Sequence, residues 1–566
     1  MKKNTKVIMA VAALVAVIGI VTGILLYRKF SPSKEHMKLT DYYKMEKNDI
    51  RIILEDEVLE VDALYQDKQV YLDFEMVKEK LNSRFYWDKN ENLLLYSTPT
   101  AVISAEPGSK ECYENNSKSS RDYEIVRVDA EKVYVALDYV KEYTALEYKV
   151  YNDPTRIVIN NVYGQEIDCV KTDSDCALRY QPDIKSDILV DLKENAKLRL
   201  IEKENKDTGF CKVMDKSGVT GYVRAKDLDK AYQEVKETDF KEDKYSHILK
   251  KEKINLVWHQ VTTQAANSGL LTVLSGTKGV NVICPTWFET SDNDGNISSI
   301  ASDTYVEQAH RAGVEVWGLC NDFSPNMKIG KVLEKTSKRR RLAKNLIAEA
   351  IRYSLDGINI DFENVKKESG EDFIQFIREL GIMCRNNGIV LSIDNYPLRD
   401  YNEYYNRREQ AKVADYVITM AYDEYYAGSE EAGPVSSIGY VQDSVEKILE
   451  QVPKKQAVIA LPFYSRLWKE NTGGGEDALS SEACSMSYAQ EILQNSSEKA
   501  IWDDKTEMNY LEYKEGKIVH KIWIEDINSL KVKMEEVSKH KIGGVAFWKA
   551  GLEISDVWDM IRKYNK

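Results

Sequence analysis

The sequence predicts a multidomain chain that ends in a (β/α)8 barrel, and three observations predict it. The chain has 566 residues, several times the usual domain length of about 100 to 200. An uncharged apolar run, 7–27, stands near its start. Beyond residue 250, eight short apolar runs recur with helical segments between them, at 254–258, 280–284, 314–319, 357–361, 389–393, 416–420, 457–461 and 543–548. Eight strand-helix repeats in about 300 residues match that barrel. The long gap before the last run predicts an insertion over about 466–520 by the top of the final strand.

From the amino terminus, Lys2, Lys3 and Lys6 precede the apolar run, and Arg28 and Lys29 follow it. At about 1.5 Å per residue a helix over the run reaches roughly the 30 Å hydrocarbon thickness. No small-x-small cleavage site follows, so 1–30 is expected to be a cytoplasmic stub and an N-in, C-out signal anchor, with a cleaved signal as the alternative. Either way the remainder lies outside the cytoplasm, in a single-pass membrane protein or a secreted one.

Residues 40–165 alternate short half-buried runs, such as Ile50-Arg51-Ile52-Ile53-Leu54, with helical spacing over 73–81 that Asp73 can cap, and again over 136–143. That pattern predicts an α+β module. The polar stretch 109–120 reads as an exposed loop. Residues 174–230 hold closely spaced short strands and turns, the spacing of a small all-β barrel, and a charged linker, 231–252, leads to the final domain, 253–566.

Composition narrows the chemistry. Lys and Arg total 79 against 92 Asp and Glu, a net charge of −13, which gains nothing from counterion release on a phosphate backbone and excludes nucleic acid as a partner. Eight Cys without a C-x-x-C pair and six scattered His without H-E-x-x-H supply no metal site, and no cofactor is expected. Catalysis must come from carboxylates, hydroxyls and rings.

The fourth barrel run reads Asp356-Gly357-Ile358-Asn359-Ile360-Asp361-Phe362-Glu363. Strand side chains alternate, so Asn359, Asp361 and Glu363 face the barrel interior at the catalytic, C-terminal end of the strand. Buried neighbouring carboxylates resist joint ionisation, which raises one pKa and makes Glu363, nearest the mouth, the natural acid. Trp258, Trp287 and Trp317 lie near strand ends and either line a groove or fill the core. His259 reads as structural, and Trp523, Glu525 and Asp526 as a salt-bridged corner or a groove wall.

This run resembles the D-x-x-D-x-D-x-E signature of glycoside hydrolase family 18, the chitinase-like family. Met420-Ala421-Tyr422-Asp423 is similar to the family's M-x-Y-D, and Gly543-Gly544-Val545-Ala546-Phe547-Trp548 to its last strand, which ends in a substrate-floor Trp. The stretches YDEYYAGSEEAGPVSS, LPFYSRLW and VHKIWIEDINSLKVK look like the bacterial branch of spore-germination and wall-lytic N-acetylglucosaminidases. Residues 40–165 resemble the stalk domain named after the copper amine oxidase N-terminus, and 174–230 resemble a bacterial SH3-like domain, which implies either a cell-wall binder or a spacer.

The resemblance implies retaining, substrate-assisted hydrolysis of β-linked N-acetylglucosamine polymers, above all peptidoglycan. It implies Glu363 as acid, Asp361 as the group orienting the acetamido and Tyr422 as a donor to its oxygen. It also implies a substrate-binding set of Trp548, Asp423, Met420 and Asn359. Two positions depart from the pattern. Asn359 stands where the signature has its second Asp, and Tyr425 where close relatives carry His. The rival readings are a catalytically silent glycan-binding protein and a chitooligosaccharide hydrolase.

Overall fold

A computed structural model describes the chain except residues 1, 47, 48, 116, 474–477 and 566, with nothing described of the Lys2 and Lys3 side chains. The predicted loop 109–120 and insertion 466–520 each fall partly outside the described residues. The chain divides into two compact units, 1–85 with 105–113 and 118–242, and 86–104 with 114–117 and 243–566.

In the first unit, helix Lys2–Phe30 has a mean hydropathy of 2.8 over its most apolar stretch and is long and apolar enough to cross a membrane. Two four-stranded sheets follow, one built on Arg51–Leu54 and Arg156–Asn160, the other on Gln69–Asp73 and Lys132–Ala136. Asp73 caps the turn after its strand, accepting from Glu75 and Met76 N–H. The predicted helix there is an α-turn, Phe74–Met76, that widens into a π-turn, Val77–Leu81. The stretch predicted as a loop at 109–120 instead carries strands Glu111–Glu114 and Ser117–Ser120. A seven-stranded antiparallel sheet runs from Glu166–Lys171 to Tyr232–Val235 around Val170, Leu178, Leu198, Val213 and Val223.

The second unit is the barrel. Its strands are β1 Ile254–His259, β2 Val282–Pro285, β3 Glu315–Asn321, β4 Gly357–Asp361, β5 Val390–Asn395, β6 Tyr416–Met420, β7 Ala457–Pro462 and β8 Gly544–Trp548. Every neighbouring pair is parallel, and β8 pairs with β1 to close the ring. Alternation sorts the strand residues into two cores. Leu256, Val282, Leu319, Ile418 and Ala546 fill the inside, while Ile358, Ile360 and Ile393 pack outward. Gly544 is required by the β8–β1 contact, since a β-carbon there would stand 2.2 Å from the Ile254 carbonyl oxygen. Between β7 and β8 lies a five-stranded antiparallel sheet, Tyr464–Asn471 to Ile518–Ile524.

Residues 86–104 pack with the barrel. Helix α1, Thr336–Arg352, has no side-chain cap from its own N-cap residue Lys335. The fully buried Asp88 caps it instead, accepting from Thr336 N–H and Oγ1–H, both at 2.6 Å, while Glu91 accepts from Ser337 N–H at 2.9 Å. One turn on, buried Arg339 lies 3.2 Å from Glu379 of α2, Gly370–Asn387, and donates to the Tyr86 hydroxyl at 3.1 Å. Tyr86 in turn donates to Asp372 at 2.6 Å. Removing a cap costs about 1 kcal/mol, and stranding buried donors adds a comparable amount. Asp88→Ala is therefore expected to destabilise the barrel unit by about 2 kcal/mol, read as a lower urea midpoint.

Candidate active site

The C-terminal ends of β1, β4, β5, β6 and β8 surround a cavity of about 180 Å³. It brings together Glu363, Asp361, Tyr422, Met420, Asp423 and Trp548, all expected from sequence, is also lined by Trp258, singled out as a groove or core ring, and adds Asp394, Tyr396 and Phe323. Asn359 does not line it. That side chain lies in the fully buried layer beneath, where Trp258 Nε1–H donates to its Oδ1 at 3.1 Å. An indole N–H only donates, which fixes the amide orientation and leaves Nδ2 to donate to Ser392 Oγ and Asp394 Oδ1, both at 2.9 Å.

Asp361 ends β4 buried, and its Oδ1 has no hydrogen-bond partner among the described residues. Glu363 sits two residues on, past the strand end. Its turn is held by Asp322, which accepts from Glu363 N–H at 3.0 Å and Asn364 N–H at 2.9 Å. The Tyr396 hydroxyl donates to Glu363 Oε2. Asp423 adopts a left-handed backbone, φ 56°, which Asp tolerates better than most residues, and accepts from the Tyr464 hydroxyl at 2.6 Å. The Trp548 ring lies 5.9 Å from that of Trp258.

Burial dominates the electrostatics. It lifts the Asp361 carboxyl well above the usual carboxylate range, and the charges of Asp394, Glu363 and Asp322 push the same way. Asp394 is also lifted well above that range by burial, against the Asn359 hydrogen bond. Glu363 is raised by burial too, with the Tyr396 hydrogen bond opposing. Protonated carboxyls therefore persist in this cavity closer to neutral pH than at a protein surface, the state a general acid needs.

The other singled-out rings are core. Trp287 is buried with its Nε1–H on Asn267 at 2.7 Å, and Trp317 stacks on Tyr416 inside the barrel. His259 hydrogen-bonds the Tyr305 hydroxyl at 2.9 Å. Glu525 forms a buried ion pair with Lys533, and Asp526 caps helix Ile527–Lys539, so that corner is salt-bridged. Tyr425 reaches Glu431 at 3.3 Å, away from the cavity. Asp394 and Tyr396 escaped sequence reading because the predicted fifth strand stopped at Ile393. Continuing its alternation from Ser392 aims both inward.

A closed parallel barrel with carboxylates gathered at the C-terminal ends of its strands defines the class of this domain. Residues 323–553 match the family described as Glycosyl hydrolases family 18, and 53–160 match the Copper amine oxidase N-terminal domain. The family 18 match thus falls within the barrel, from just past β3 to beyond β8. The chain is 26% identical over 240 residues to the cortical fragment-lytic enzyme of Bacillus subtilis (strain 168), a match covering 41% of this chain and 55% of that protein. It is 20% identical over 349 residues to chitinase B of Serratia marcescens, covering 47% of this chain and 69% of that protein. The crystal structure of the Bacillus cereus spore cortex-lytic enzyme SleL shares the fold, with a TM-score of 0.50 and 20% identity over 56% of this chain and 76% of that one. The chain spans about half the length of the cortical fragment-lytic enzymes it matches.

Proposed function

We propose that the chain is a membrane-anchored, extracytoplasmic glycoside hydrolase that cleaves β-linked N-acetylglucosamine polymers, with peptidoglycan as substrate, by retaining, substrate-assisted catalysis. One observation carries the reading: a buried Asp361 oxygen without a partner among the described residues shares a cavity with the raised acid Glu363. An unpaired buried carboxylate oxygen is costly, and an acetamido N–H of the substrate would satisfy it. That bond would aim the acetamido carbonyl at the anomeric carbon. Asp361 would then stabilise the positive charge developing on the ring so formed. Glu363 would protonate the leaving oxygen, Tyr422 would donate to the acetamido oxygen, Asp423 and Met420 would contact the sugar, and Trp548 would stack beneath it.

Similarity to proteins named cortical fragment-lytic enzyme, together with a helix long enough to span a membrane, favours a wall polymer over chitin. The seven-stranded sheet of residues 166–235 suits an SH3-like wall-binding accessory. Reducing-end release from purified peptidoglycan and from chitin oligomers tests the reading. Release from peptidoglycan supports it, release from chitin alone makes the chain a chitooligosaccharide hydrolase, and binding without release makes it a lectin.

The Tyr396 hydrogen bond stabilises ionised Glu363. Tyr396→Phe is accordingly expected to raise the Glu363 pKa and move the alkaline limb of the pH–rate profile to higher pH.

A further inference from the structure

At the cavity floor, β4 and β5 run parallel in a register that pairs Asn359 with Ser392 and Ile360 with Ile393. Asp361 and Asp394 are the next residues of the two strands, on backbones about 4.8 Å apart. Both are buried, and both line the cavity.

We propose that Asp394 supplies, from β5, the buried carboxylate that position 359 of β4 lacks, and that it is a positioning residue for Asp361, the two carboxyls holding one proton between them. The inference rests on the hydrolase reading above. Its support is the groups around Asp394 among the described residues. From β4 come Asn359, whose amide donates to Asp394 Oδ1 at 2.9 Å, and the Asp361 carboxyl, and from just past its end the Glu363 carboxyl. From β2 comes the Cys284 thiol, and from just past β6 the Tyr422 hydroxyl, both held neutral by burial. Tyr396, on the loop that follows β5, turns its hydroxyl to Glu363. Among the described residues lining the cavity, none is Lys, Arg or His. Two negative charges side by side at that depth have no counter-ion, so one proton stays with the pair. The amide at 359 suits this arrangement. It accepts from Trp258 on one side and donates to Asp394 on the other, so it leaves a negative charge on Asp394 hydrogen-bonded and the shared proton on the side of Asp361. A second Asp at 359 would add a third carboxyl to the layer.

The test is a charge swap in the full chain, comparing wild type, Asp394→Asn, and Asn359→Asp combined with Asp394→Asn. The double variant moves the carboxylate from β5 to β4 and reverses the hydrogen bond between the two positions, leaving the charge count unchanged. Asp394→Asn is expected to lower kcat about 10²-fold with KM little changed and to shift the pH profile. The swap is expected to recover most of that loss. Infrared titration with carboxyl-labelled aspartate reads the proton without any substrate. The protonated-aspartate band should titrate about one pH unit or more lower in Asp394→Asn and return to the wild-type midpoint in the double variant. An unmoved band and an unchanged pH profile in Asp394→Asn would overturn the inference, as would a double variant no better than the single one in both readouts. If wild type cleaves neither polymer, the hydrolase reading fails, and the infrared comparison still decides the Asp361–Asp394 pair. Asp394→Asn is isosteric, so its band decides the matter even if the double variant does not fold.

Discussion

Glu363→Gln is expected to lower kcat/KM for polymer cleavage about 10³-fold, within the range general acid catalysis commonly supplies. The substitution keeps the volume of the side chain, and the amide oxygen can still accept from Tyr396, so the cavity should stay intact. What is lost is the proton for the leaving oxygen. The size of the effect should therefore follow the leaving group. An aryl glycoside, whose phenolate departs without protonation, should lose far less than a sugar polymer. Equal losses on both substrates would place the defect in binding or folding, and an undiminished rate on polymer would remove Glu363 from the mechanism.

Asp361→Asn is expected to lower kcat about 10² to 10³-fold, the scale of removing one preorganised electrostatic contact to a developing charge, and also to stabilise the barrel at neutral and higher pH. The second effect follows from linkage. Burial raises the folded-state pKa of Asp361 above its unfolded value. Its contribution to stability is therefore complete below the unfolded carboxylate range and is lost as pH rises through the raised folded value. Asn has no proton to lose. In calorimetric scans from about pH 5 to 8, the wild-type midpoint should fall relative to that of the variant as pH rises. A constant difference across that range would mean that Asp361 is already ionised there in the folded chain, as it is in the unfolded one.

The barrel was legible in the sequence because its strands are buried on both faces and read as near-continuous apolar runs. The mouth of β4 was legible for the opposite reason, since three polar side chains break such a run at alternate positions. Asp394 and Tyr396 were hidden because β5 runs to Asn395, two residues past the last apolar residue used to mark it. Phe323 lies beyond the end of β3, where alternation no longer dictates direction. The partnership of Asp88 with Thr336 spans 248 positions, and no local pattern in either segment points to the other. Asn359 was visible as a departure from the signature, but its consequence was not. That depends on a neighbouring strand whose register only the fold establishes.

The cap that Asp88 provides bears on how such a barrel could be exchanged between genes. A cut at residue 243, where the continuous part of the unit begins, would transplant all eight strands and every cavity residue. It would leave behind the segment that closes α1 and partners Arg339. The recipient chain would carry a catalytic face intact in sequence above a helix with open amides and a guanidinium stripped of one neighbour. Recombination that preserves this domain must therefore carry 86–104 along, so its heritable boundary lies well upstream of its first barrel strand.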